Sequence, residues 1–286
     1  MSVTAVGPAL DLDGPLPVAP EYRLLSVPGV FRGDGRTEEE VLRNDRPRWL
    51  NGVNVWGYPV DTPSLWEPCS TGTFRTKGST SEWDQPRFDA FVAYLPFTCS
   101  TITADPEEFA RRAEVALEAT ISFAVEQALA QGVDGSTNAF FGDTNLTQLG
   151  ADGVTPEVGL RFLENAIGQT GRAGMIHATP GTVAAWEFEA LQTNGVLLTP
   201  NGTPVASGGG YINTDPVGLT GSGPTVGLEW AFATGPVQVY LADAVTTEVS
   251  EFVDQADNTA TYRAERYALA IWDTSLQSGV LIDWTP

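Results

Sequence analysis

The chain is poor in the residues from which most catalytic and metal centres are built. Its 286 residues include one histidine, His177, two cysteines, Cys69 and Cys99, and one lysine, Lys77. A zinc or iron site needs several cysteine and histidine ligands, so no metal and no cofactor are expected. Two thiols far apart in sequence do not make a disulfide framework and read as buried or half-buried side chains. A nucleophile–base–acid relay would rest on His177 alone. That residue lies in the apolar run 173–178, where a histidine reads as a satisfied core residue.

Long apolar runs are missing too, so no transmembrane helix is encoded. The first 22 residues have neither a basic start nor an uninterrupted apolar stretch, which excludes a secretory signal and points to a cytoplasmic product. Positive charge is scarce: 15 basic residues face 36 acidic ones, for a formal net charge of -21. Ordinary nucleic-acid binding needs a basic patch to displace counterions and is excluded. The balance suits an acidic soluble surface, or a wall that faces DNA without gripping it. All the basic residues except Lys77 are arginine. A GC-rich coding bias accounts for the arginines but not for the one lysine.

Residues 1 to about 45 are rich in proline and glycine and read as an extended arm, with one short helix near residues 37–42. Strand-like runs follow at 53–56 and 88–99. Between them, residues 60–87 are polar, with scattered aromatics Trp66, Phe74 and Trp83. A loop of that length is unusual inside a compact domain, which predicts a projecting hairpin whose aromatics are buried on a neighbour. A long helix comes next. Asp105 is its expected cap, Pro106 takes the first turn, and Glu107 and Glu108 suit the positive end of the helix dipole. Phe109, Ala113, Leu117, Ile121, Ala124 and Ala128 form the apolar stripe, and Gly132 ends a run of about 26 residues, or roughly 39 Å. Its acids Glu107, Glu108, Glu114, Glu118 and Glu126, beside Arg111 and Arg112, read either as a solvated face or as a wall toward DNA.

Two further helices are expected at 155–168 and 179–194, each opened by Thr-Pro, with a buried strand between them. A hairpin turns at Asn201-Gly202. Ser207-Gly-Gly-Gly210 lacks the spacing and the lysine of a phosphate-cradling loop, so nucleotide binding is not expected. Strands return at 226–232, 237–240 and 246–252.

The stretch SEFVDQADNTATYRAERYALAIWD, residues 250–273, then alternates like a strand but carries Asp257-Asn258 and Glu265-Arg266. It reads as an active site, as an ion pair in a packed sheet, or as a place where subunits meet. In the ion-pair reading Glu265 pairs with Arg263 or Arg266, Asn258 is a turn residue and Lys77 is a solvated loop lysine.

In order, these elements are a loose arm, a protruding loop, a long helix, a helix–strand–helix unit with glycine-rich loops, and a closing long strand. That order resembles the major capsid protein fold of tailed bacteriophages, the Hong Kong 97 type, an α+β fold. Glu248-Val249-Ser250, the acidic run, Asp257-Asn258 and Glu265-Arg266-Tyr-Ala-Leu-Ala270 look like that family's closing P-domain strands. The architectural resemblance covers nearly the whole chain, and the residue-level match covers about thirty residues.

The resemblance implies an N-terminal arm at 1–45, a P-domain strand at 46–59, an E-loop at 60–87 and the P-domain with its spine helix at 88–135. It further implies an A-domain at 136–235, P-domain strands at 236–272 and a C-terminal A-domain strand at 273–286. It implies a head protein that assembles with itself, as hexamers and pentamers, into an icosahedral shell around double-stranded DNA. Assembly would take place in the host cytoplasm and the product would reside in the virion. Portal and decoration proteins are the implied partners, with no membrane and no sequence-specific DNA contact. No long helical scaffolding segment precedes the arm, so a scaffolding protein is expected to be separate. The same fold makes encapsulins, but those usually carry an N-terminal helix where this chain has a Pro/Gly-rich start. A minor or vertex-only head protein, and a small α+β enzyme, are the other readings.

Some members of the family weld their shells by joining an E-loop lysine of one subunit to a P-domain asparagine of another. A glutamate seven residues after the asparagine assists. The resemblance places these roles on Lys77, Asn258 and Glu265. Because 258 and 265 differ by an odd number, a regular strand would point them to opposite faces, so a bulge, a bend or attack from the strand edge is required.

Overall fold

A computed structural model of the chain describes residues 17–18, 20–27, 32–33, 36, 38–43, 45–55, 86–100, 106–150, 153–186, 197–212, 214–217, 227–248 and 259–283. The elements are β1 (Arg32–Gly33), α1 (Glu38–Arg43), β2 (Val53–Asn54), β3 (Arg87–Phe88), β4 (Phe91–Ser100), α2 (Pro106–Gln131) and β5 (Thr147–Gln148). They continue with α3 (Pro156–Thr170), β6 (Met175–Ala178), α4 (Pro180–Ala185), β7 (Leu197–Leu198) and β8 (Pro204–Ser207). The last are β9 (Leu228–Thr234), β10 (Val237–Leu241), β11 (Val245–Glu248), β12 (Thr259–Trp272) and β13 (Gln277–Asp283). Among the described residues no helix is long and apolar enough to cross a membrane.

β12 is the axis of a five-stranded sheet. One of its edges pairs antiparallel with β4 over ten residues, from Thr259↔Ser100 to Ala268↔Phe91. Its other edge is shared by β11, through Val245↔Glu265, and β10, through Val237↔Trp272. β1 adds parallel to β10. Pro96 sits inside β4 and has no N–H to give; an edge strand tolerates that, and among the described residues β4 pairs only with β12.

The inner face of β12 carries Tyr262, Ala264, Ala268, Ala270 and Trp272, all buried. The small side chains let α2 lie close on this face. Phe109 of α2 packs its ring 6.1 Å from Tyr262 and 5.9 Å from Phe97 of β4. Further along the helix Ala113, Leu117, Ile121, Val125 and Leu129 are buried at spacings of four. The stripe thus follows 125 and 129 in its second half, where Ala124 and Ala128 were expected. Each large side chain in it is worth about 1.5–3 kcal/mol of burial, which outweighs the helix's ordinary propensity. Gly132, at φ +80°, ends the helix in a conformation that a Cβ would strain.

A six-stranded sheet in the order β5-β13-β9-β6-β8-β7 forms the second unit, with α3 packed on β13 and β9. The hairpin between β7 and β8 turns at Asn201-Gly202, with Gly202 at φ +86°. Thr155 precedes α3 without capping it by its side chain, whereas Thr179 Oγ1 accepts the Thr182 N–H at the start of α4. α4 is described to Ala185; the remainder of the helix expected to 194 lies outside the described residues. The chain passes between sheets at 235–236 and again at 273–276. The two passages run side by side, with Asp273 N–H donating to Pro236 O at 3.2 Å. One hydrophobic core, including Leu117, Ala268, Trp272, Phe141 and Phe232, runs continuously beneath both sheets.

The expectation of a loose arm is corrected over residues 20–27. Leu24, Leu25 and Val27 are buried in the core of their own chain, and Tyr22 O accepts the Ser207 N–H at 2.8 Å. Three apolar side chains so close together are enough to seat an otherwise Pro/Gly-rich segment.

Candidate functional site

Glu265 stands on the outer face of β12, away from α2. Its cross-strand neighbours in register are Tyr94 on one side and Val245 on the other. Two residues on, Tyr267 pairs with Val92. Directly opposed residues of antiparallel strands share a face, so these five side chains form one patch. Tyr94 is 63 % exposed and Val245 55 %, with Val92 and Tyr267 also exposed. A carboxylate surrounded by uncovered aromatic and aliphatic groups is an uncommon surface for a lone chain. The Glu265 carboxylate is held by Arg263, Nε to Oε1 at 2.6 Å. Of the two arginines weighed for this pairing, Arg266 turns inward instead. Its guanidinium binds Glu118 of α2 and donates to Ala242 O at 2.6 Å.

The acids of α2 have specific partners rather than forming a uniform outer face. Glu108 takes hydrogen bonds from Arg111 and then Arg112, which hold its carboxyl down to about 2. Glu114 accepts the Thr246 hydroxyl at 2.8 Å. Glu126 is fully buried. The reading of these acids as a wall toward DNA is corrected for Glu126, which is buried in the core, while Glu114 and Glu118 also tie the helix to its own sheet.

His177 is fully buried on β6 and both ring nitrogens are satisfied. Nδ1 lies 3.0 Å from Tyr211 Oη and Nε2 lies 2.9 Å from Thr234 Oγ1. The Thr234 hydroxyl donates to Gly235 O, so it accepts from Nε2–H, and Nδ1 accepts from the Tyr211 hydroxyl. Burial pushes the imidazole down to about 3 and keeps it neutral. Phe141 packs 4.5 Å from the ring. A tyrosine and a threonine on a dry imidazole make a core polar link, and among the described residues no carboxylate hydrogen-bonds the ring to orient a base. A cleft of about 500 Å³ between α3 and β13 is lined by Asn165, Gln169, Arg172, Ser275 and Ser278 among others, without a histidine, carboxylate or thiol. Among the described residues no cluster of histidine, cysteine and acidic side chains could hold a metal ion.

β2 and β3 form a two-residue clip, with Val53↔Phe88 and Asn54↔Arg87 in register and Val55 N–H donating to Pro86 O at 3.0 Å. Val55 and Pro86 are therefore adjacent. Lys77, Trp66, Phe74 and Trp83 fall between these ends, outside the described residues, as does Asn258. Of the residues named from the sequence, the structure places Glu265. Sequence reasoning missed Tyr94, Val92 and Val245 around it. The signal for two of them was there: 91–98 reads FVAYLPFT, and its interior proline marks an edge strand whose even-numbered positions share a face.

No protein-family model matches the chain, and no curated protein matches it. Among solved structures, the chain is similar to the capsid of the native GTA particle, at 9% identity over 98% of this chain and 96% of that one, with a TM-score of 0.57. It is also similar to a structure from Microbacterium phage Oxtober96, at 9% identity, 98% and 96% coverage and a TM-score of 0.53. A third is from Mycobacterium phage Che8, at 13% identity, 98% coverage of both chains and a TM-score of 0.51. Such a likeness is one of fold, and it extends over almost the entire length of each chain. The chain has the α+β fold of phage capsid proteins, the Hong Kong 97 type that its sequence resembles.

Proposed function

We propose that this protein is the major subunit of a tailed-phage-type capsid, assembling with copies of itself into a closed shell that encloses double-stranded DNA. The observation that carries the reading is the full-length likeness in fold to a particle's capsid, spanning 98% of this chain and 96% of that one. Function of this kind is mechanical: many modest contacts are summed by symmetry into one container. The uncovered patch around Glu265 supports it, since exposed apolar groups in register on a sheet face suit coverage by a second subunit. The clip at 53–55 and 86–88 supports it as well, because it suits a segment that reaches away from its own body. Sedimentation of the purified chain tests the reading. Particles or capsomers are expected; a stable monomer under all assembly conditions counts against it.

The same reading extends to a covalent weld. Lys77 of one copy attacks the side-chain amide carbon of Asn258 of another. The new C–N bond forms as the C–NH₂ bond breaks and ammonia leaves. Glu265 takes the proton from the attacking amine and returns it to the departing nitrogen. The amine must be neutral to attack, which a dry apolar setting favours. Tyr94 and Val245 beside Glu265 supply such a setting once a neighbour covers them, and Arg263 holds the carboxylate in place on the strand. Mature particles boiled in detergent and reductant are expected to run as ladders or well-bound material that disappears in Lys77→Arg. A single monomer band from the unmodified chain ends this part of the proposal.

A further inference from the structure

The proposed function makes no use of the buried carboxylate of Glu126. Donors from three parts of the chain converge on its two oxygens. Oε1 accepts the Leu24 N–H at 3.2 Å and the Ser122 hydroxyl at 2.9 Å. Oε2 accepts the Gly210 N–H at 3.1 Å and lies 3.5 Å from Arg23 Nη1. Arg23 also sits over the Phe123 ring, 5.9 Å from its centroid. Among the described titratable groups, Arg23 acts on this carboxylate and Tyr211 is acted on by it, and burial raises its proton affinity.

The fit around it is tight. A Cβ on Gly208 would come 2.3 Å from the Glu126 carboxyl carbon, and one on Gly210 would come 2.5 Å from Glu126 Cβ and from Phe123 O. Gly208 has φ -126° and ψ 138°, an extended conformation that any residue adopts. What requires glycine at 208 is therefore the carboxylate itself and not the backbone. This gives a meaning to the glycine run 208–210, which matches no ligand-binding pattern.

We propose that Glu126 is the pin of a strap. It fastens residues 20–27 and the glycine turn 208–211 to the long helix as one cooperative unit, which opens and closes separately from the two sheets. Among the described residues the Leu24 and Gly210 N–H groups have Glu126 as their acceptor, so removing the pin takes that partner from both buried donors at the same time.

Hydrogen–deuterium exchange on the full-length unassembled chain tests this, comparing peptides over 20–27, 204–212 and 277–283. In Glu126→Gln, which keeps the shape but turns one acceptor into a donor, exchange in the first two peptides is expected to rise together by about tenfold or more. The third peptide should be unchanged. Gly208→Ala alters neither Glu126 nor any residue of 20–27, yet it is expected to speed exchange at 20–27 by pushing on the pin. Arg23→Ala, a partly exposed position, gives a milder version of the same paired response in a chain that folds. The proposal is overturned if 204–212 responds to Gly208→Ala while 20–27 does not. It is equally overturned if all three peptides accelerate alike, which is global destabilisation and not release of a strap.

Discussion

Because His177 is the only histidine in the chain, its buried, neutral state can be read out directly from acid sensitivity. In the unfolded chain the imidazole titrates near 6.5, and in the folded one burial lowers it to about 3. Between those values the unfolded state takes up a proton that the folded state refuses. The contribution is fully present above about pH 6.5 and is lost as pH falls, by about 1.4 kcal/mol per pH unit. By pH 5 the loss is about 2 kcal/mol, a sizeable share of a typical domain's total stability. Carboxylates also titrate in this range, and Glu126 acts with the opposite sign, since its raised affinity favours the protonated folded state on acidification. These contributions are common to the wild type and to His177→Gln, so the difference between the two isolates the imidazole. Urea unfolding of the unassembled chain, followed from about pH 7.5 to about pH 5, is the assay. The variant is less stable at neutral pH, because Tyr211 and Thr234 lose an ideal partner. Its stability must nevertheless fall less steeply with acid, by about 2 kcal/mol over the interval. Parallel pH profiles for the two proteins refute the account of a dry, neutral histidine.

Tyr94→Thr, at a position 63 % exposed in the single chain, should change subunit stability by no more than about 0.5 kcal/mol yet weaken assembly, as seen by comparing thermal melts with sedimentation. Leu117→Ala empties a site that is 3 % exposed between the long helix and β12, and should cost about 2–5 kcal/mol with an unchanged denaturant slope. Thr179→Ala removes the side chain that accepts the Thr182 N–H, and should cost about 1 kcal/mol in the same assay.

What could be read from the sequence depended on whether a residue's partners were local. The long helix was legible because its opening proline, first-turn acids, apolar spacing and closing glycine all lie on the helix itself. The Asn201-Gly202 hairpin was legible for the same reason. The strap was not: Leu24, Leu25 and Val27 occur in a Pro/Gly-rich context, and what holds them is a carboxylate 102 residues away. Glu126 looked like one more acid on a charged helix, since helical spacing does not say which neighbour closes over a given position. Glu265 was singled out by resemblance and by its place in an alternating strand. Its real surroundings, Tyr94 and Val245, come from strands far apart in sequence, and register between such strands is set by the fold as a whole.

Electron microscopy of the purified, self-assembled protein decides whether this chain builds a shell. Closed shells of fivefold and sixfold clusters are expected, with the β4–β12 face around Glu265 covered by a neighbouring subunit. A preparation that contains only compact monomers or small oligomers, with that face open to solvent, contradicts the proposed function.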